Sequence, residues 1–249
     1  MPAVFVHGNP ETAAIWSLLI PELARDDVIT LSPPGFGAPV PPGFGATRIE
    51  YVDWLAAELA KIDEPVDLVG HDWGAGHVLG LVSTRPEQVR SWACDCGGLI
   101  HPDYVWHDMA QVWQTEGAGE EAVDAMLVST PVEDRTAAYM ELGMTAEIAC
   151  DLAAAGNEDM ARSVLSLYRS AAQPVMRELG ELSPNARVRP GRFIFAELDH
   201  YCGTETMARE AAARMGAEVS VLSGVGHWWM VEDPAAGAAV LNGFWAELS

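Results

Sequence analysis

Short apolar runs alternate with longer helical patterns through the first hundred residues of this chain. Val4-Phe5-Val6, Val28-Ile29-Thr30-Leu31, Val66-Asp67-Leu68-Val69 and Trp92-Ala93-Cys94 read as strands, and residues 14–25, 49–62 and 75–84 between them read as helices. Successive strand-helix-strand units admit essentially one arrangement, a parallel sheet with helices on both faces. The rhythm stops near residue 100 and resumes with Phe193-Ile194-Phe195-Ala196, a helix over 205–215, Val219-Ser220-Val221-Leu222 and a closing helix over 234–248. The stretch between carries helix-like segments at 105–114, 120–128, 137–142 and 160–169 and almost no strand pattern. The expectation is an α/β core built from residues 1–99 and 186–249, holding a mostly parallel sheet, with a helical cap of residues 100–185 inserted between two strands and lying over the ends where the loops emerge. The hexapeptide Pro-Pro-Gly-Phe-Gly-Ala at 33–38 recurs at 41–46, too brief for a solenoid, and reads as a stiff loop after the second strand.

At 249 residues the chain is long enough for one large domain with a substantial core. Acidic residues number 36 against 14 basic ones, a net charge of −22 that repels phosphate backbones and anionic lipid. Nucleic acid and membrane surfaces are therefore disfavoured as partners, and a neutral organic molecule is the compatible one. No apolar run approaches the roughly 20 residues of a membrane span, and no basic segment with a cleavage site precedes the first strand, so a cytoplasmic protein is expected. Cys94, Cys96, Cys150 and Cys202 match neither a dense disulfide framework nor paired zinc knuckles and read as reduced thiols in or near the core, with Cys94-x-Cys96 as strand packing. His101, Asp103, His107 and Asp108 sit where a helix begins, a place for polar residues rather than a metal cluster.

Chemistry concentrates in four short segments. Gly70-His71-Asp72-Trp73-Gly74 joins a strand to a helix, the context of a nucleophile elbow, with glycines permitting the tight turn that exposes the central side chain. That side chain is Asp72. A carboxylate is ionised at neutral pH without help from a base and suits attack at saturated carbon, leaving an ester that a second group must hydrolyse. His227, in Gly224-Val225-Gly226-His227-Trp228-Trp229 after the last strand, has the pKa of a base for water. Asp199, in Ala196-Glu197-Leu198-Asp199 after the penultimate strand, is placed to orient it, and Asp95 after the strand that follows the elbow is the rival. The N–H groups of Asn9, in His7-Gly8-Asn9-Pro10, and of Trp73 form the candidate oxyanion hole. His71 and His77 flank the elbow as packing or supporting groups, and Trp106, Trp113 and Trp228 supply an aromatic pocket.

These segments, in the order Asp72, Asp199, His227, resemble the α/β-hydrolases with an aspartate nucleophile, which include haloalkane dehalogenases, epoxide hydrolases and fluoroacetate dehalogenases. The resemblance runs over essentially the whole chain and implies the α/β-hydrolase fold with no metal or organic cofactor. Members usually carry two strands before the one ending in His-Gly; here that strand starts near Ala3, so a six-stranded sheet is expected. By the resemblance to haloalkane dehalogenases, Asn9 and Trp73 would hold a departing halide. Epoxide hydrolases instead carry a cap Tyr-Arg pair, matched by Tyr168-Arg169, with Trp113 or Tyr104 standing where a second tyrosine is usual. The fluoroacetate enzymes need arginines after the nucleophile, and Gly74 to Leu79 has none, which implies a neutral apolar substrate. The expected reaction is hydrolysis of a carbon–halogen bond through an alkyl-enzyme ester, with epoxide hydrolysis as the alternative and a ligand-binding protein of the same fold as a third.

Overall fold

A computed structural model describes residues 1–248 of the chain. Strands β1 (Ala3–Val6) and β2 (Val28–Leu31) are followed by helix α1 (Arg48–Leu59), β3 (Val66–Gly70), α2 (Trp73–Thr84) and β4 (Val89–Cys94). A helical stretch comes next, made of α3 (Asp108–Gln114), α4 (Ala118–Asp124), α5 (Val132–Glu141), α6 (Ala146–Ala155), α7 (Glu158–Ser170) and α8 (Val175–Leu182). The chain closes with β5 (Gly191–Ala196), α9 (Glu205–Met215), β6 (Glu218–Leu222), the single turn α10 (Trp229–Glu232) and α11 (Pro234–Glu247). The strands pair in parallel, in the order β2-β1-β3-β4-β5-β6. The strand order reverses between β1 and β3, so the loops leaving those two strands part company and open a crevice at the carboxyl edge.

Parallel strands covered on both faces are largely apolar, and alternate residues serve opposite cores. In β1, Val4 and Val6 join one buried cluster with Leu68 and α2, while Ala3 and Phe5 join the other with Val69 and α11. Helix starts follow local chemistry: Thr47 and Glu50 close a reciprocal capping box at α1, and Asp233 with Pro234 opens α11. The predicted helix over 14–25 is instead two short 3-10 turns, Ala13–Trp16 and Ile20–Glu22. Pro21 has no N–H for the carbonyl of residue 17, and its ring crowds that carbonyl, so an α-helix cannot pass through. Helices α6 and α8 lie outside the segments that the sequence pattern marks as helical, and the segment predicted as helix over 120–128 passes into a π-helical turn at Ala125–Ser129.

Cys96 and Cys202 form a disulfide with Cα atoms 4.5 Å apart, which corrects the expectation of four reduced thiols. The physical reason is topological. Strands β4 and β5 are neighbours, so the loops leaving their ends run side by side and bring together residues 106 apart in sequence. Cys94 is buried in β4, whereas Cys150 is exposed on α6 rather than in the core.

At the opposite edge of the sheet Asp67, fully buried in β3, accepts hydrogen bonds from Arg90 Nε at 2.7 Å, Ser91 Oγ at 2.6 Å and Arg25 Nη1 at 2.9 Å. Burial alone would raise its carboxyl pKa, but Arg90, Ser91 and Arg25 together hold it below the ordinary value. The stabilisation is present above the unfolded carboxylate range and is lost as pH falls through the depressed value. Asp67→Asn is expected to cost about 3 kcal/mol, read as a lower urea midpoint at constant slope; an unmoved midpoint would mean the arginines find equivalent partners.

Candidate active site

The turn after β3 is held in a conformation few side chains adopt. Asp72 has φ 52° and ψ −120°, a strain of order 1–3 kcal/mol that the surroundings must over-determine. Its N–H donates to Asp95 Oδ1 at 2.9 Å, and the N–H of His71 donates to Val6 O at 3.0 Å. Glycine at 74 is obligatory, because a Cβ there would lie 2.1 Å from Val6 O. The elbow thus locks onto β1 and projects the Asp72 carboxylate to the carboxyl edge of the sheet, 13% exposed.

Three loops deliver the other groups. From the loop after β1, Asn9 N–H donates to Asp72 Oδ1 at 3.0 Å. After β6 comes His227, whose Nε2 lies 3.7 Å from Asp72 Oδ2. After β5 comes Asp199, whose Oδ2 accepts from His227 Nδ1 at 2.8 Å while its Oδ1 accepts from Tyr201 N–H at 2.7 Å. Since an ionised carboxylate only accepts, Nδ1 carries the imidazole proton and the Nε2 lone pair faces Asp72. Asp199 is the acid at His227. Asp95, the rival candidate for that role, is bonded instead to His71 Nδ1 at 2.5 Å and to the Trp229 indole at 2.9 Å.

Burial pushes the Asp72 carboxyl up to about 6, against the pull of the His227 charge. Burial lowers His227, but the Asp199 carboxylate more than offsets it and leaves the imidazole above its ordinary value. Asp199 itself is held low by His227 and the Tyr201 N–H despite its burial.

Beneath the elbow lies a network that sequence reasoning missed. Glu11, 2% exposed, accepts from Gly8 N–H at 3.0 Å and from the Trp228 indole at 2.6 Å, and its Oε1 lies 3.3 Å from His71 Nε2. His71 is thus clasped between two buried carboxylates, Glu11 and Asp95, which keep it protonated in spite of burial. The sequence carries one faint signal for it, a lone charge between His7-Gly8-Asn9-Pro10 and the apolar run that begins at Ala13. His77 is a packing residue, stacked on Tyr51 at 4.7 Å with no hydrogen-bond partner.

Asp72 opens into a cavity of about 450 Å³, walled among others by Asn9, His107, Trp113, Tyr168, His227, Met109, Met126, Ala138 and Leu142. Asp134 and Arg135 bound it on α5, and Arg135 is tied to the carbonyl of Leu127. Among the described residues the buried carboxamide of Asn9 has no hydrogen-bond partner for either its oxygen or its nitrogen, and the Trp113 indole N–H is likewise unpartnered. Trp73 is absent from the cavity wall. Its ring stacks on Trp106 at 5.8 Å and meets the Tyr168 ring edge-on at 5.4 Å. Burial holds the Tyr168 hydroxyl well above its ordinary value, so it keeps its proton. Tyr104 donates to Tyr201 O at 2.7 Å and does not line the cavity; of the two stand-ins for a second tyrosine, Trp113 is the one that does.

The family model described as "Alpha/beta hydrolase family" matches residues 3–240. A haloalkane dehalogenase of Mesorhizobium japonicum is 30% identical over 136 residues, 48% of this chain and 42% of its own length, so the match takes in less than half of that relative. A 2-hydroxymuconate semialdehyde hydrolase of Pseudomonas sp. is 26% identical over 99% of this chain and 87% of its own length. Among solved structures, a haloalkane dehalogenase from Bradyrhizobium elkani superposes with TM-score 0.74 at 21% identity, covering 99% of this chain and 90% of the other, which is a likeness of fold.

Proposed function

Starting from a chain that belongs to the alpha/beta hydrolase family, we propose that it hydrolyses a small, neutral, apolar organic halide through an ester of Asp72. Asp72 Oδ2 attacks the carbon bearing the halogen, and the carbon–halogen bond breaks with its electron pair leaving on the halide. The anion needs donors and no proton. The observation that carries this reading is the Asn9 carboxamide, buried on the cavity wall beside Asp72 with no partner of its own. An unpaired buried amide costs stability, which an arriving anion repays by accepting from its nitrogen, with Trp113 as the second donor on the same wall. In the second step His227 Nε2 takes a proton from water as the oxygen attacks the Asp72 carboxyl carbon. The oxyanion forms on Oδ1, already served by the Asn9 N–H at 3.0 Å; as it collapses the bond from the carboxyl carbon to the alkyl oxygen breaks, and His227 returns the proton to that oxygen so that the alcohol departs.

One observation favours a second reading, epoxide hydrolysis. Tyr168 lines the cavity and its buried hydroxyl retains its proton, which is what an opening epoxide oxygen would use.

The test uses His227→Gln, in which the first step proceeds and the ester accumulates. After incubation with a 1-bromoalkane, the intact mass is expected to rise by the alkyl group, localised to Asp72. A gain equal to a whole epoxide, seen only with styrene oxide, would transfer the assignment to the second reading, and no adduct from either would remove the nucleophile. The two steps should also separate by pH. Asp72 must be ionised to attack, so the first step is expected to fall about tenfold per unit below pH 6. His227 must be neutral to act as base, so its acid limb lies higher, above the ordinary histidine value. In His227→Gln the imidazole charge that lowers Asp72 is gone, and the limb for adduct formation should move upward. A limb that stays in place would show that His227 does not govern Asp72.

A further inference from the structure

Three neighbouring loops at the carboxyl edge of the sheet bring four metal-ligating side chains into one spot. Cys96 follows β4, Asp199 and Cys202 follow β5, and His227 follows β6. One ligand atom from each lies within 4.8 Å of all the others, and the four residues are 4%, 9%, 8% and 8% exposed in the order Cys96, Asp199, Cys202, His227. A tetrahedral zinc ion with sulfur at about 2.3 Å and nitrogen or oxygen at about 2.0–2.2 Å sets its ligand atoms about 3.3–3.8 Å apart. The four atoms are gathered closely enough that breaking the sulfur–sulfur bond and parting His227 Nδ1 from Asp199 Oδ2, now 2.8 Å apart, would bring them to that spacing. The Tyr201 N–H fixes the free oxygen of Asp199, the kind of support that orients a metal-binding carboxylate. In the disulfide the sulfurs are bonded to each other, and it is thiolates that bind metal.

We propose that the dithiol form of this protein holds a site for Zn2+ or another soft divalent cation, made of Cys96, Cys202, Asp199 and His227, and that filling it withdraws the imidazole and its acid from hydrolysis. The oxidised form lacks the site. Cleavage of the disulfide by a phosphine consumes one phosphine and one water and yields two thiols and the phosphine oxide. Metal binding then releases the two thiol protons. Occupation of the site stands independently of the nucleophile; only its effect on turnover rests on the proposed role of His227 and Asp199.

The experiment uses the full chain with Cys150→Ser, which removes the exposed free thiol, reduced with a phosphine, desalted without oxygen and titrated with Co2+. The expected result is one Co2+ per chain with the thiolate-to-cobalt charge-transfer band and the visible bands of a tetrahedral ion, displaced by Zn2+ and absent from the oxidised protein. One equivalent of Zn2+ should lower turnover of the reduced protein by about a hundredfold, the contribution of a positioned general base, and EDTA should restore it. Cys202→Ser should lose the spectrum's two-thiolate intensity and escape inhibition by Zn2+. Equal binding to the oxidised and reduced forms, or no charge-transfer band from a chain whose thiols titrate as reduced, would overturn the site. A full cobalt spectrum with unimpaired turnover would overturn the inhibition. If no halide or epoxide is turned over at all, the spectrum still decides the site while the proposed function fails separately.

Discussion

Asp72→Ala is expected to abolish turnover, with kcat/KM falling by about 10⁴-fold or more, because a covalent mechanism has no second route once its nucleophile is gone. The same substitution should leave stability unchanged or improved. Asp72 sits at φ 52° with its carboxyl pushed up to about 6 by burial, so the folded state bears both backbone strain and an unfavourable charge for the sake of this side chain. Asp72→Gly should go further, since glycine adopts positive φ freely, and a gain of about 1 kcal/mol in unfolding free energy is expected. Turnover by initial rates and unfolding in urea, measured on the same preparations, check both halves. Activity retained in Asp72→Ala would sink the assignment of the nucleophile, whereas a large loss of stability would mean that the carboxylate holds the elbow together.

Asn9→Ala should slow haloalkane conversion by about a hundredfold, near the cost of losing one well-aimed donor to a developing anion. Its diagnostic value lies in what it spares. The Asn9 N–H that serves Asp72 Oδ1 belongs to the backbone and survives the substitution, so ester hydrolysis should proceed as before. Pre-steady-state halide release should therefore fall while the decay of a preformed ester stays constant. Since the carboxamide has no partner among the described residues, truncation removes an unsatisfied group and stability should hold. An unchanged halide burst would shift the leaving-group role to Trp113 or Tyr168.

Legibility in the sequence follows the range of the interactions. Strand positions are readable because the central parallel strands are buried and even the edge strands are rich in branched apolar residues; Val28–Leu31 and the helix Glu205–Met215 match residue for residue. Position along the chain is also enough to expect Asp72, Asp199 and His227 in one place, because each follows a strand and parallel strands send such loops to one edge. What escapes depends on lateral neighbours. Glu11 carries no periodicity, and its partners His71 and Trp228 lie 60 and 217 residues away. The Cys96–Cys202 bond requires knowing that β4 and β5 are adjacent. The packing of the Trp73 ring against Trp106 and Tyr168 is likewise decided by segments that the elbow's own sequence does not contain.

The cluster of Glu11, His71 and Asp95 also sets the order in which activity and architecture come and go. Its bonds to Trp228 and Trp229 close spans of 217 and 134 residues, the kind of contact whose closure entropy is met only after most of the chain is in place. During refolding, catalytic competence should therefore arrive after helical content, with the docking of β6 and its following loop onto the sheet. During gradual denaturation it should vanish first, which makes turnover a more sensitive gauge of an intact sheet edge than circular dichroism.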